Sequence, residues 1–246
     1  GWDRAAMTRS AQPAPHRILL GVGGTQHLHV SIDMAVMLAS GFRTALLCVV
    51  VEQEDLVAVA GLPFARTFGR GGMSAPVTQE NVEGYFRRVA RTVEHELVER
   101  CTGVNVTWSL TRPQGDYIHE LMASVETGDV VVVNRRDIQA GPADLPGVFR
   151  AILGKASAVV IANPGLARRG AVLALTSATV DGKALALARE IAQATGNNCE
   201  TASPDGFFSR RFKASIVVAP LELAETGGLS SFLKSIDAMG AAAVLV

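Results

Sequence analysis

Short apolar runs alternate with amphipathic stretches along most of this chain, and glycines mark many of the joins. Residues 17–22 are an Ile/Leu/Val run that stops at Gly23-Gly24-Thr25. A helical pattern follows to about Ala39, and Gly41 is expected to stop it. Strand, glycine turn and helix form the opening unit of an α/β domain. Thr44–Val51 is rich in Leu, Val and Cys without alternation, which predicts a strand covered on both faces. Val82, Phe86, Val89, Val93, Leu97 and Cys101 recur every three or four residues, so a long helix is predicted over about Glu80–Cys101, closed by Gly103. Val104–Leu110 predicts a strand, and Gly115-Asp116 opens a short helix with Ile118, Leu121, Met122 and Val125 on one face. Buried strands are predicted at Asp129–Val133 and Ala158–Ala162, with a helix over Gly147–Gly154 between them. Alternation of this kind implies a parallel sheet with right-handed crossovers.

The pattern then restarts, as an internal repeat does. Ala171–Leu175 predicts a strand, followed by a helix over Gly182–Ala194 capped by Asp181 and ended at Gly196. Strands are predicted at Asn198–Ala202, Ser215–Ala219 and Ala241–Val246, with a helix from a cap at Ser230 or Ser231 to Met239. This second copy is shorter, because only Ser203–Ala214 stands where the first has a long helix, a strand and another helix. The expected organisation is a disordered or appended tail over residues 1–16, a first unit over 17–164, and an abbreviated second unit over 170–246. Each unit closes on an apolar strand, and natural proteins seldom leave such edges open. Antiparallel pairing of Ala158–Ala162 with Ala241–Val246, or of either with a second chain, is therefore expected.

Charge narrows the function classes. Lys+Arg and Asp+Glu both number 23, so the net charge is zero. General nucleic-acid binding needs a basic surplus to release counterions and is not expected. Charged residues make up only 19% of the chain, a composition prone to association, so a protein partner or a homo-oligomer is expected. The longest apolar runs, Ala45–Val51 and Val130–Val133, are far too short to insert across a membrane. Cys48, Cys101 and Cys199 are scattered and odd in number, which reads as small buried residues in a reducing, cytoplasmic setting.

Two segments, RILLGVGGTQHLHVSIDMAVMLA and GDYIHELMASVETGDVVVVNRRD, together resemble a universal stress protein domain. That family opens with a strand, an Asp-Gly-Ser type turn and a helix, and later has a Gly-Asp helix start and a strand running into a glycine-patterned loop. The resemblance covers residues 17–163, and residues 170–246 as a trimmed second copy. It implies an α/β fold of two flavodoxin-like lobes with parallel sheets, the second truncated. The family's first-turn acid, which helps hold adenine, falls at Gly23, while Gly24 and Thr25 keep the rest of the turn. Gly115 and Asp116 match the Gly-Asp pair. The two glycines of the phosphate loop fall at Asn134 and Asp137, and the terminal Gly-Ser or Gly-Thr pair falls at Pro146 and Gly147. An acid at position 137 would face phosphate, and Pro146 lacks an N–H donor. Arg135 and Arg136 offer charge to an anion. The nucleotide-binding residues implied are thus Gly23, Gly24, Thr25, Gly115, Asn134, Arg135 and Arg136, in a pocket that has largely decayed.

Other chemistry is sparse. His27 and His29 lie at the start of the first helix with no third metal ligand nearby in sequence, so no metal site is expected. His95 with Glu96 and Glu99 lacks the second histidine of a zinc helix and reads as a charged face. His119 reads as a partly exposed helix residue. No nucleophile motif or Walker loop occurs, and no catalytic residue is assigned. Arg87-Arg88, Arg168-Arg169 and Arg210-Arg211 read as solvated faces. The connection over residues 52–79 is too apolar for a free loop and carries helical content before Gly61. Leu56, Val59, Leu62, Phe64 and Phe68 are candidates for docking a partner; the competing reading folds them onto the helix at Glu80–Cys101. The expected function is a non-enzymatic regulatory or scaffolding protein, with no cofactor unless ATP or AMP. The alternatives are an ATP- or AMP-binding stress protein and a redox partner resembling an electron-transfer flavoprotein subunit.

Overall fold

The computed structural model describes residues 15–60, 62, 66–68, 74–139, 144–163, 170–177, 182–209, 212–226 and 228–246. Before residue 164 the elements are β1 (Ile18–Val22), α1 (Leu28–Phe42), β2 (Leu46–Val50), β3 (Glu52–Gln53), α2 (Glu54–Ala60), β4 (Arg66–Phe68), β5 (Ser74–Pro76), α3 (Gln79–Thr102), β6 (Trp108–Thr111), β7 (Gln114–Gly115), α4 (Tyr117–Ser124), β8 (Val130–Asn134), α5 (Arg135–Gln139), α6 (Leu145–Leu153) and β9 (Ala158–Ala162). After it come β10 (Ala171–Leu175), α7 (Lys183–Thr195), β11 (Cys199–Ala202), α8 (Pro204–Ser209), β12 (Ala214–Ala219), α9 (Leu221–Thr226), α10 (Leu229–Met239) and β13 (Ala242–Leu245).

Nine strands form one sheet in the order β11-β10-β12-β13-β9-β8-β1-β2-β6. All neighbours are parallel except β13 and β9, which pair antiparallel through Ala243–Ile161, Val244–Val160 and Leu245–Val159. The two apolar closing strands thus cover each other. On either side of that join the strand order runs the same way, β9-β8-β1-β2 matching β13-β12-β10-β11. Alternate residues of β1 enter different cores. Ile18, Leu20 and Val22 belong to the core that α1, α3 and α7 cover, whereas Leu19 belongs to the core that α4, α6 and α10 cover. Both cores draw residues from before and after residue 164, so each face of the sheet carries one continuous apolar layer.

Several local expectations change. Gly41 does not stop α1, which runs to Phe42 and is capped by Arg43 in the left-handed region at φ 54°. The glycine instead clears space for α7: a Cβ on it would lie 2.5 Å from Ala194 Cβ and 3.0 Å from the Ala194 carbonyl oxygen. Helix α10 is entered through Gly228 and not through a serine cap; Ser230 and Ser231 lie inside it. Helix α6 begins earlier than Gly147, at Leu145, because Asp144 caps it and Pro146 occupies a first-turn position where a missing N–H costs nothing. Strand β6 starts at Trp108, since α3 extends to Thr102 and the chain turns through Asn105 at φ 53°. The 52–79 connection holds the expected helix, α2, and also a hairpin of β4 and β5 that no alternation signalled. Asp181, Gly61, Pro63, Phe64, Arg70, Arg168, Arg169, Arg210 and Arg211 lie outside the described residues.

Candidate functional site

The carboxyl end of β1 is where an open parallel sheet of this kind places ligands. Here β1 leads into Gly23-Gly24-Thr25, which reaches the surface, and α1 follows from His27 at φ 55°. The first donor of this turn is occupied. Gly23 N–H donates to Asp137 Oδ2 at 2.9 Å. Leu28 N–H reaches the Thr25 carbonyl at 3.4 Å, and Val30 N–H the His27 carbonyl at 3.1 Å. Asp137 sits in α5, directly after β8, so the sheet itself delivers an acid to the turn of its neighbour.

The space around Gly23 is narrow. A Cβ there would lie 3.2 Å from Asp137 Cγ and 3.2 Å from Tyr117 Cδ2. Tyr117, the first residue of α4, is 4% exposed, and its hydroxyl has no hydrogen-bond partner among the described residues. Burial drives its pKa well up, with Asp137 and Cys48 adding to the shift. Burial also raises the Asp137 carboxyl to about 6, and the Gly23 N–H holds it back from rising further.

Asn134, Arg135 and Arg136 of the implied nucleotide site have partners of their own. Asn134, buried at the end of β8, donates from Nδ2 to the Gln26 carbonyl at 2.8 Å and accepts from Arg136 N–H at 3.0 Å. Arg136 donates to the Gln26 side-chain oxygen. Arg135 pairs with Asp237 of α10, which also accepts from Asn163 Nδ2 at 3.1 Å. Gly115 precedes Asp116, whose carboxylate caps α4 by accepting His119 N–H at 2.9 Å. Gly147 N–H donates to Asp144 Oδ2 at 3.3 Å. Gly23 and Gly147, two positions that the resemblance assigns to a nucleotide site, thus each give their N–H to an acid of the chain itself.

Comparison with solved structures places this architecture. A universal stress protein from Archaeoglobus fulgidus superposes with a TM-score of 0.57 at 13% identity, covering 94% of this chain and 96% of that one. A functionally unknown protein from Pseudomonas aeruginosa PAO1 gives 0.53 at 11% identity, over 94% and 92%. The fold is universal-stress-protein-like. No family model and no curated protein matches the sequence.

The universal-stress-like frame makes plain which participants sequence spacing did not reveal. Tyr85 and Asp237 join the turn or its loop only through the packing of distant elements, whereas Gln26 directly follows the turn and Tyr117 the Gly115-Asp116 pair. Asp144, three residues before Gly147, is signalled locally as well, because an acid at that offset is a helix-cap signature. Among the described residues no His/Cys/Asp/Glu group is placed to hold a metal. His95 pairs with Glu99 at 3.4 Å and Arg100 with Glu96, as a charged face does. Cys48 and Cys101 are buried, while Cys199 is only partly so. No helix among the described residues is long and apolar enough to cross a membrane.

The docking candidates divide. Leu56, Val59 and Leu62 are 41%, 43% and 44% exposed, and α2 buries none of its residues although it lies against α3. Phe68 falls in β4, and Phe64 lies outside the described residues. Two clefts of about 470 and 400 Å³ open at the opposite, amino-terminal end of the sheet. The first is walled by Arg43, Thr44 and Asn105; the second holds the Arg100–Asp33 ion pair beside Gly41 and Ala194.

Proposed function

We propose that this chain is a tandem universal-stress-type protein, its second copy abbreviated, that works without catalysis or nucleotide as a cytoplasmic regulator or scaffold for a protein partner or another copy of itself. The observation that supports this most is the Gly23 N–H bound to Asp137 Oδ2 at 2.9 Å. A phosphate arriving at position 137, where the resemblance places a loop glycine, meets a carboxylate in place of a donor. Burying phosphate charge without donors costs several kcal/mol. Arg135 and Arg136, the available cations, are held by Asp237 and Gln26.

Partner docking draws support from α2. Leu56 and Val59 on α2 and Leu62 just beyond it are large apolar residues left exposed, a natural contact patch. Burying each is worth roughly 1.5–3 kcal/mol, enough for a few to anchor an interface.

Calorimetric titration of the purified protein with ATP and with AMP is the test. Neither nucleotide is expected to bind with a Kd below a millimolar. Sub-micromolar affinity for ATP, lost on Gly24→Trp, would establish the ATP- or AMP-binding alternative instead.

A further inference from the structure

Strand β6 ends the nine-stranded sheet, and among the described residues only β2 pairs with it. Its hydrogen-bonding groups divide by residue. Leu46 N–H of β2 donates to the Thr107 carbonyl at 2.9 Å, and the parallel register then matches Leu47 with Ser109 and Val49 with Thr111. Alternation along a parallel ladder therefore turns the main-chain groups of Thr107, Ser109 and Thr111 toward β2. Those of Trp108 and Leu110 point away from the sheet, where no described strand receives them. Natural proteins commonly blunt such an edge with charge. The other edge, β11, carries Glu200, whereas Trp108–Thr111 holds no charged residue.

The residues around Ser109 are close to a palindrome in chemical type, Thr-Trp-Ser-Leu-Thr over 107–111. An antiparallel copy centred on Ser109 sets Trp108 against Leu110 of the second copy, and Thr107 against Thr111 of the second copy. In that register Trp108 and Leu110 exchange N–H and carbonyl bonds across the join, because the main-chain groups of both aim outward. Trp108 and Leu110 are half-buried against the core under α1 and α3, while Ser109 and Thr111 are exposed on the other face. Apolar side chains thus meet apolar ones, and hydroxyls meet hydroxyls, pairings that stabilise adjacent strands. The same arrangement at β11 is unfavourable. The Asn198 carbonyl accepts Val172 N–H at 2.8 Å, so the outward residues there are Cys199 and Thr201. Pairing those two across a two-fold axis sets Glu200 against Glu200, and like charges directly opposite destabilise a strand pair.

We infer that β6 is a self-association surface that fits a second copy of this chain, joining two nine-stranded sheets across a two-fold axis. This rests on the self-association in the proposed function and names the strand that carries it. A stable dimer buries roughly 800 Å² per partner, more than one short strand supplies. The flank of α3 adds to it. Arg100 pairs with Asp33 of α1, and Val98 stands about 200° around the helix from Arg100, so it faces away from α1, beside the open edge. Val98 is a large apolar residue left exposed. Arg112, which follows the strand, is already neutralised by Glu52.

Sedimentation equilibrium of the full chain is the test. Wild type is expected to dimerise with a Kd in the micromolar range. Ser109 is exposed, so Ser109→Lys and Ser109→Glu leave the fold intact, yet each sets like charges against one another on the axis. Each is expected to weaken the dimer by about tenfold or more, and an equimolar mixture of the two variants to restore it. Ser109→Cys in a Cys199→Ser background is expected to give a disulfide-linked dimer on mild oxidation. The two Cα atoms on the axis are then a non-hydrogen-bonded pair, within disulfide range. Thr107→Cys in the same background is expected not to cross-link, because it faces Thr111 of the second copy. A wild type that stays monomeric at about 1 mM overturns the inference, whether a segment of this chain or another protein covers the edge. So does a dimer that Ser109→Lys leaves intact, or a mixture of the lysine and glutamate variants that stays monomeric. Sub-micromolar ATP binding would instead overturn the proposed function and leave the dimer standing, so the two failures are distinguishable.

Discussion

Asp137 Oδ2 accepts the Gly23 backbone N–H at 2.9 Å across 114 residues of sequence, and this one contact joins the ends of two adjacent parallel strands. It has a pH signature. Folding raises the Asp137 carboxyl from an ordinary value near 4 to about 6, so the folded state binds its proton more tightly than the unfolded chain does. The sign follows directly. The stabilisation from holding that proton is fully present below about pH 4 and is lost as the pH rises through 6. Wild-type stability minus that of Asp137→Asn is therefore expected to fall by about 2 kcal/mol between pH 4 and pH 7. Urea unfolding of both proteins across that range measures it, and a difference that stays flat or rises is the contrary result.

Gly41 and Ala194 set the approach of α1 to α7. Gly41→Ala drives a methyl to within 2.5 Å of the Ala194 methyl and 3.0 Å of its backbone oxygen, and a backbone atom cannot rotate away. Overpacking of this kind typically costs 1–3 kcal/mol, so the variant is expected to melt several degrees lower. Adding Ala194→Gly removes the nearer contact and leaves the backbone one, so partial rescue is expected in a double-mutant cycle. A Gly41→Ala protein as stable as wild type would show that the helices are less closely packed than this.

Strands and the two-sheet-half pattern are legible in the sequence because the buried parallel strands are uninterrupted apolar runs: VVVVN, SIVVA and AVVIA admit few other readings. The β9–β13 pairing follows from the same runs, since both closing strands need cover. Gly41 is misleading because residue type alone does not distinguish a helix stop from a helix–helix contact. The difference lies in α7, some 140 residues away. The acid at position 137 is visible as an obstacle to phosphate, yet its bond to Gly23 depends on β8 lying beside β1. Arg135 illustrates the limit: its charge suits an anion, and only the position of α10 hands it to Asp237. Sequence spacing reports what lies on one element, and the site is assembled by sheet order.

A second acid shows what full pairing looks like. Asp129, fully buried ahead of β8, takes Arg17 Nε at 3.2 Å, one Arg17 terminal nitrogen at 3.1 Å and Glu126 N–H at 2.9 Å. Arg17 also donates to the Ser124 carbonyl at 2.7 Å. Arg17→Met strands the buried carboxylate, and breaking a buried pair this way costs about 3–5 kcal/mol. Replacing both, as Arg17→Met with Asp129→Leu, is expected to recover part of the loss. Equilibrium unfolding of the two variants checks this, and a single variant losing under about 1 kcal/mol contradicts it.

The apolar patch formed by α2 and Leu62 just beyond it separates docking from core packing. Leu56, Val59 and Leu62 are each more than 40% exposed, so changing them to serine removes little folded-state burial. Surface changes of this sort usually stay within about 0.5 kcal/mol each. Leu56→Ser with Val59→Ser and Leu62→Ser is therefore expected to leave the melting temperature nearly unchanged. If the patch docks a second copy, light scattering of the triple variant will show a smaller particle than wild type at equal concentration. If it docks another protein, wild type and variant will share one mass, and only the wild type will retain the partner through purification. The zero net charge of the chain favours the first outcome, because copies approaching near neutral pH meet no overall repulsion. A large drop in melting temperature, with the mass unchanged in the folded fraction, would mean that these residues stabilise α2 against α3 and that the docking proposal is wrong.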